Sequence, residues 1–194
     1  MGYFEQFVPI TVLAAVCLFI AREILEFIRR RNANGRRTAA IKTMLARELE
    51  LNNWTITRLQ MTFDDIRDNE GHTDLLVSFS RRGQVFYKTK KHDHVASWPI
   101  PEVHSDVLSK HILDIATLDS TLFRAAQTAY DATAELLHIR ESLVQALHDE
   151  DPDIPQDLES FVEYARRVVE QITPDFADLY RQCTGKPFDA ERIR

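Results

Sequence analysis

The sequence has little cysteine and little glycine, and each shortage excludes a kind of fold. Only Cys17 and Cys183 occur among the 194 residues, too few for a disulfide framework or for a zinc site built from cysteines. Five glycines are few for this length, which favours long helices over a sheet-rich fold. The formal net charge of -6 indicates that the chain as a whole is not a nucleic-acid binder by bulk charge.

Recognisable catalytic motifs are also missing. The sequence contains no glycine-rich phosphate loop, no G-x-S-x-G elbow and no H-E-x-x-H zinc motif. His92-Asp93-His94 is the one metal-like cluster, and His104, the candidate third ligand, does not stand at a diagnostic spacing. We therefore expect no enzyme activity, no catalytic residue, no metal site and no cofactor.

The sequence does contain a long apolar segment at its N-terminus. Residues 7–21 carry no charge, and the apolar pattern extends from Tyr3 to Ile28, interrupted by Arg22, Glu23 and Glu26. A helix of about 20 residues or more can cross a hydrocarbon core of about 30 Å. A cleaved signal peptide and a buried helix of a soluble protein are the alternatives. The pattern predicts a transmembrane helix with a basic end over residues 1–31.

Arginines follow the apolar segment and set its orientation. They are Arg29, Arg30, Arg31, Arg36 and Arg37. Basic residues flank the cytoplasmic end of membrane helices. The cluster therefore predicts a single-pass protein of the bacterial inner membrane, with the N-terminus outside and the C-terminal domain in the cytoplasm.

One face of the N-terminal helix carries charge near its basic end. At about 100° per residue, the side chains on this face are Thr11, Ala15, Leu18, Arg22 and Glu26. A lone helix would extend the charged side chains to the lipid headgroups, whereas an oligomer would turn them inward to line a pore. Both interpretations remain open at this stage, and the second makes these five the candidate pore-facing or oligomer-facing residues.

A helical domain is expected over residues 38–194, behind a hinge at residues 32–37 that contains N-A-N-G. The helix predicted from Thr38 to Arg67 carries a seam with three- and four-residue spacing, formed by Leu49, Asn52, Ile56, Leu59, Phe63 and Ile66. One asparagine in such a seam can fix the register and number of an oligomer. Alternatively, this face packs within the chain and Asn52 bonds to a neighbour.

A hairpin and further helices complete the predicted fold. Alternating apolar residues near 74–89 predict a β-hairpin. Helices are expected from Val107, from Ser120 to His148, from Asp157 and from Pro174. The predicted fold class is mainly α: a single N-terminal transmembrane helix followed by a cytoplasmic helical bundle with one β-hairpin.

Basic residues cluster on this hairpin beside Phe86 and Tyr87. They are Arg81, Arg82, Lys88, Lys90, Lys91 and His92. Cations near aromatic rings suit an anionic ligand such as a nucleotide or a nucleic-acid strand. A lysine-rich strand edge that prevents aggregation, or a contact with anionic lipid headgroups, would use the same residues.

In layout the sequence resembles the small single-pass effectors of bacterial anti-phage, abortive-infection systems, including the Hailong type, whose membrane channel is gated by nucleic-acid oligomers. The resemblance covers architecture only and transfers no site residue. It implies a homo-oligomeric membrane effector that forms or gates an ion-conducting pore under the control of an anionic ligand. The alternative is a membrane-anchored binding or scaffold module that holds a soluble protein partner and has no transport activity.

Overall fold

The described part of the chain forms four helices and one three-stranded sheet. A computed structural model describes residues 10–68, 74–91, 94–148 and 154–188. The elements in chain order are α1 (Ile10–Asp68), β1 (Asp74–Phe79), β2 (Val85–Lys91), β3 (His94–Ile100), α2 (Asp106–Leu118), α3 (Ser120–His148) and α4 (Ile154–Thr184). The chain divides into two compact units, Met1–Ala40 and Ile41–Arg194. The mainly helical class is confirmed.

The predicted transmembrane helix is wrong. Within the residues that the structure describes, no helix combines the length and the apolar character needed to cross a membrane. The charge-free stretch of α1, residues 10–21, spans only about 18 Å against a hydrocarbon core of about 30 Å. Arg22, Glu23 and Glu26 interrupt the apolar pattern beyond this stretch. The assignment to the bacterial inner membrane as a single-pass protein rested on that helix and is wrong with it.

Helix α1 runs without a break through residues 32–35, inside the hinge predicted at 32–37. A glycine inside a helix costs only about 1 kcal/mol relative to alanine, and a Cβ added at Gly35 would meet no atom within 4 Å. Packing therefore neither requires nor opposes glycine at this position. The weak turn signal of N-A-N-G is outweighed by the helix formers on both sides.

The second unit has one hydrophobic core, to which α3 contributes a full stripe. Its apolar residues recur at helical spacing and are buried, among them Leu122, Ala126, Ala129, Leu136, Ile139, Leu143 and Leu147. Helix α3 packs between α2 and α4. Helix α4 continues through Pro174, although two helices were expected there. Proline lacks the backbone N–H that would donate within the helix. In the adjacent turn, the Thr173 hydroxyl adds a hydrogen bond to the Val169 carbonyl oxygen at 2.6 Å.

The sheet is an antiparallel meander in the order β1-β2-β3. The predicted hairpin corresponds to β1 and β2, and β3 is an additional strand. Tyr87 on β2 lies opposite Val77 on β1 and Trp98 on β3. Pro99 lies within β3, which is an edge strand of the sheet. Proline is tolerated there because the backbone position that lacks an N–H can face away from the neighbouring strand.

Polar residues of α1 hold the connection between the sheet and α2. The side chains of Glu48, Asn52 and Thr55 follow one another at helical spacing and are all buried. Thr55 donates to the Glu102 carbonyl oxygen at 2.8 Å, and Asn52 forms two hydrogen bonds with the backbone of His104. Helix α1 thereby fixes the segment that leads into α2.

Candidate functional site

The first unit presents an apolar helix surface that nothing in the described chain covers. We call residues 10–40 of α1 the arm. Its large apolar side chains are 46% to 72% exposed and comprise Val12, Leu13, Val16, Leu18, Phe19, Ile20, Ile24, Leu25, Phe27 and Ile28. Farther along the same helix, Ile41 and Leu45 are 3% and 1% exposed. A contiguous exposed apolar surface of this kind marks an interaction site.

Five residues of the arm form a regular seam. Leu13, Cys17, Ile20, Ile24 and Phe27 are spaced by four, three, four and three residues, the repeat by which helices pair in coiled coils. At about 100° per residue these positions lie on one face of the helix. The charged residues Arg22, Glu23 and Glu26 lie outside this face, so the seam stays apolar through the stretch where the sequence becomes charged.

The predicted pore-facing residues lie on the opposite face of the arm. Ala15, Leu18 and Arg22 are exposed, and Glu26 is half-buried and pairs with Arg30. The Thr11 side chain lies outside the described residues. Because the described members stand about half a turn from the seam, two faces of the arm can be distinguished: the apolar seam and a more polar side.

Four arginines extend the polar side of the arm. Arg29 and Arg36, and likewise Arg30 and Arg37, are seven residues apart, so each pair spans about 10.5 Å along the helix axis. The two pairs flank Ala33 on one helix face. All four arginines and Ala33 are exposed. We call this set, Arg29, Arg30, Arg36 and Arg37, the basic face.

Charge is divided unequally between the two units. The first unit contains six arginines and three glutamates, for a formal charge of +3. The second contains 18 basic and 27 acidic residues, for a formal charge of -9. No acidic residue occurs between Glu26 and Glu48, whereas seven basic residues do. The arm is therefore a basic segment on an acidic protein.

The basic residues of the hairpin are spread along β2 and its turn. Arg81 and Arg82 are exposed in the turn before β2, and Lys88 is half-buried within the strand. The side chains of Lys90 and Lys91, and all of His92, lie outside the described residues. Because a seven-residue strand such as β2 spans about 20 Å, the turn arginines and Lys90 belong to opposite ends of the strand.

Asn52 lies in a buried intramolecular contact. Its side chain is 1% exposed, donates to the His104 carbonyl oxygen at 2.7 Å and accepts from the His104 N–H at 2.8 Å. Ile56, Leu59, Phe63 and Ile66 of the same predicted seam are buried in the core of the second unit. These are the contacts expected if this face of α1 packs within the chain and Asn52 bonds to a neighbour.

Two further ionisable groups lie close together where α1 faces the sheet. The pKa of Tyr87 is raised by burial and by the charge of Asp65. The pKa of Asp65 is raised by burial and by the neighbouring carboxylates of Asp64 and Asp68. Arg166 of α4 pairs with Asp64. Among the described residues no group of three histidine, cysteine, aspartate or glutamate side chains is placed to bind a metal ion.

Sequence reasoning did not identify the arm's seam or its basic face as sites. Both can be recognised in the sequence: the seam as residues spaced by four, three, four and three positions, and the basic face as a run of arginines without acidic residues. They were instead attributed to lipid contact and to membrane orientation. Without a spanning helix, the same residues form an exposed helix with an apolar seam over residues 13–27 and four arginines on another face over residues 29–37.

No protein-family model matches the chain, and the searches of curated proteins and of solved structures give no match either. The function is therefore inferred from the arrangement of the chain's own residues.

Proposed function

We propose that this protein is a non-catalytic assembly module whose copies associate through the seam of the arm. The observation that carries the proposal is the exposure of that seam: Leu13, Ile20, Ile24 and Phe27 are 61%, 51%, 54% and 65% exposed. Association of two or more copies would bury these side chains against their equivalents. The second unit of each copy would then act as a repeated binding domain, so that weak contacts with a partner gain avidity.

The size of the apolar surface supports association. Complete burial of one large apolar side chain contributes about 1.5–3 kcal/mol. Leu13, Ile20, Ile24 and Phe27 are 51% to 65% exposed, so burying the exposed part of these four side chains in each of two paired chains contributes roughly 7–14 kcal/mol. The freedom lost on association costs about 4–15 kcal/mol. The apolar contribution is of the same size as this cost, so burial of the seam can offset most or all of it.

The position of the charges favours a second copy over a lipid surface as the occupant. Arg22, Glu23 and Glu26 lie within the apolar part of the arm, where immersion in lipid would bury them at considerable cost. In a helical assembly the same residues stay in water because they lie outside the seam. An ion-conducting pore is not part of the proposal, because it needs a helix that spans the membrane.

Two matched double substitutions test the seam in the full chain. Leu13→Asp/Ile20→Asp places two charges in the seam, seven residues apart. Leu18→Asp/Leu25→Asp places two charges outside the seam at the same separation, on side chains that are 72% and 56% exposed. Sedimentation velocity over a range of protein concentrations measures the oligomeric state of each.

We expect the wild type to associate, the seam variant to be monomeric and the variant outside the seam to resemble the wild type. Equal loss of association in both variants would indicate unspecific hydrophobic contact and overturn the proposal. A monomeric wild type would also overturn it. In that case, flotation with anionic vesicles would identify lipid as the occupant of the arm.

A further inference from the structure

We propose that the basic face of the arm binds the phosphodiester backbone of a nucleic-acid duplex, without selecting a base sequence. This goes beyond assembly and does not depend on it, because each copy carries a complete basic face. The inference rests on the geometry of the four arginines, on the charge of their surroundings and on their position relative to the seam.

The geometry suits a groove bounded by phosphates. Arg29 and Arg36 form one ridge of the helix, Arg30 and Arg37 form another, and Ala33 lies between them. The small alanine side chain permits close approach of the helix axis. A helix with its side chains is about 10–12 Å across, and the major groove of B-form DNA is about 12 Å wide. Arginines on the two ridges can therefore reach the phosphates on either side of the groove.

Arginine chemistry suits this ligand. The guanidinium group stays charged at any physiological pH and forms paired hydrogen bonds with phosphate oxygens. Arg30 pairs with Glu26, and its side chain is 75% exposed. An exposed ion pair contributes little stability, so a phosphate can displace the carboxylate.

The surroundings concentrate positive potential on the arm. From residue 27 to the end of the arm at residue 40 the sequence contains no acidic residue, and it includes Arg31 in addition to the basic face. Formal charge is +3 in the first unit and -9 in the second. Repulsion from the acidic unit limits the contact to the arm, so the expected footprint is short. Phosphate contacts carry no sequence information by themselves.

Assembly and duplex binding do not compete for the same side of the arm. The basic face stands about half a helical turn from the seam residues Leu13 and Ile20. Copies that associate through the seam therefore keep their arginines outward, and an oligomer presents several basic faces to one duplex. Binding should tighten with assembly, yet survive in a monomer.

Salt dependence gives a quantitative test. Fluorescence anisotropy of the full chain with two labelled duplexes of unrelated sequence would be measured between about 50 and 200 mM NaCl. For the monomeric seam variant, four phosphate contacts predict a slope of log affinity against log salt of about -3.6. The two duplexes should bind with equal affinity.

Arg36→Gln/Arg37→Gln and Arg124→Gln/Arg167→Gln form a matched pair, since each removes two charges from exposed arginines. We expect the first to reduce the size of the slope by about 1.8 and the affinity by at least about tenfold, at unchanged helix content by circular dichroism. The second should leave both unchanged, because Arg124 on α3 and Arg167 on α4 lie outside the basic face.

Several outcomes would overturn the proposal. They are no binding to either duplex at the lowest salt, an equal effect of the two double substitutions, and a strong preference for one duplex. Binding to vesicles with anionic lipid but not to duplexes would assign the arginines to lipid headgroups instead. Because duplex binding is measured on the monomeric variant as well as on the wild type, failure of assembly and failure of nucleic-acid binding are separable.

Discussion

The side chain of Asn52 on α1 and the backbone of His104 before α2 are joined by two hydrogen bonds, one in each direction. The amide nitrogen donates to the His104 carbonyl oxygen at 2.7 Å, and the amide oxygen accepts from the His104 N–H at 2.8 Å. The N–H and C=O of the part-buried residue His104 are thereby both satisfied by one side chain 52 positions earlier in the chain. The asparagine replaces the hydrogen bonds that a neighbouring strand or helix would otherwise supply.

Replacement of Asn52 by leucine should destabilise the second unit without changing the oligomeric state. The part-buried N–H and C=O of His104 would lose their side-chain partner, and an unpaired group shielded from water costs about 1–3 kcal/mol. We expect the free energy of unfolding in urea to fall by about 2–4 kcal/mol. Gln60→Leu, at an exposed position of the same helix, is the control. A changed sedimentation coefficient of the folded Asn52→Leu variant would support a role of Asn52 in the oligomer.

Glu48 caps α2 from another helix, and this contact can be tested separately. Its two carboxylate oxygens accept from the N–H groups of Val107 and Leu108 at 2.7 and 2.9 Å, while Ser105 forms no side-chain cap. Glu48→Gln replaces one acceptor oxygen by an amide NH2 group, which can only donate, and removes the negative charge at the helix N-terminus. We expect a loss of about 1–2 kcal/mol in the free energy of unfolding.

Glu135→Gln, on an exposed site of α3, should change the same quantity by less than about 0.5 kcal/mol. An equally small effect of Glu48→Gln would show that solvent, not this carboxylate, satisfies the start of α2.

Much of the second unit was predictable from the sequence because its signals are local. The break at Asp119 is an example, since this residue accepts from the N–H groups of Thr121 and Leu122 at 3.1 and 3.0 Å and thus begins α3. The buried stripe of α3 follows from a local signal as well. Helical spacing alone decides which of its side chains face the core.

The contacts made by Glu48, Asn52 and Thr55 were not predictable, because their partners are 47 to 60 residues away in the chain. Spacing placed Asn52 on an apolar face but could not tell whether another copy or the same chain covers that face. The prediction of a transmembrane helix failed because the length of the apolar segment was overestimated. The pattern up to Ile28 was counted as one apolar segment, although Arg22, Glu23 and Glu26 divide it.

The Tyr87 hydroxyl offers a prediction in the stabilising direction. The residue is fully buried, and among the described residues its hydroxyl has no hydrogen-bond partner. Burial and Asp65 raise its pKa, so the hydroxyl stays protonated and carries an unused donor. Because an unsatisfied buried group costs about 1–3 kcal/mol, Tyr87→Phe should raise the free energy of unfolding by about 1 kcal/mol.

Tyr180→Phe is the matched control, since the Tyr180 hydroxyl donates to Glu50 at 3.3 Å. This substitution should lower the free energy of unfolding by about 0.5–1 kcal/mol. If Tyr87→Phe were destabilising as well, the hydroxyl of Tyr87 would have a partner that stabilises the fold.

Two carboxylates should respond to acid with opposite signs. The N–H of Leu122 and the charge of Lys42 lower the pKa of Asp119 below its usual value of 3.8. Its charged form therefore stabilises the fold at neutral pH, and this contribution is lost as the pH falls below about 4. Burial and the charge of Asp178 raise the pKa of Asp175 above 3.8. Its charged form therefore opposes folding at neutral pH, and acid relieves that cost.

Asparagine substitutions at these two positions isolate the charge, because asparagine caps a helix about as well as aspartate and matches its size. We expect Asp119→Asn to be less stable than the wild type at pH 7, with the difference shrinking as the pH falls below about 4. Asp175→Asn should be more stable than the wild type at pH 7, and its advantage should disappear over the acidic range in which Asp175 takes up its proton. Urea unfolding at three pH values measures both. The same sign of change for the two variants would contradict the opposite pKa shifts, since a shared response to acid would reflect the net charge of the chain and not these two sites.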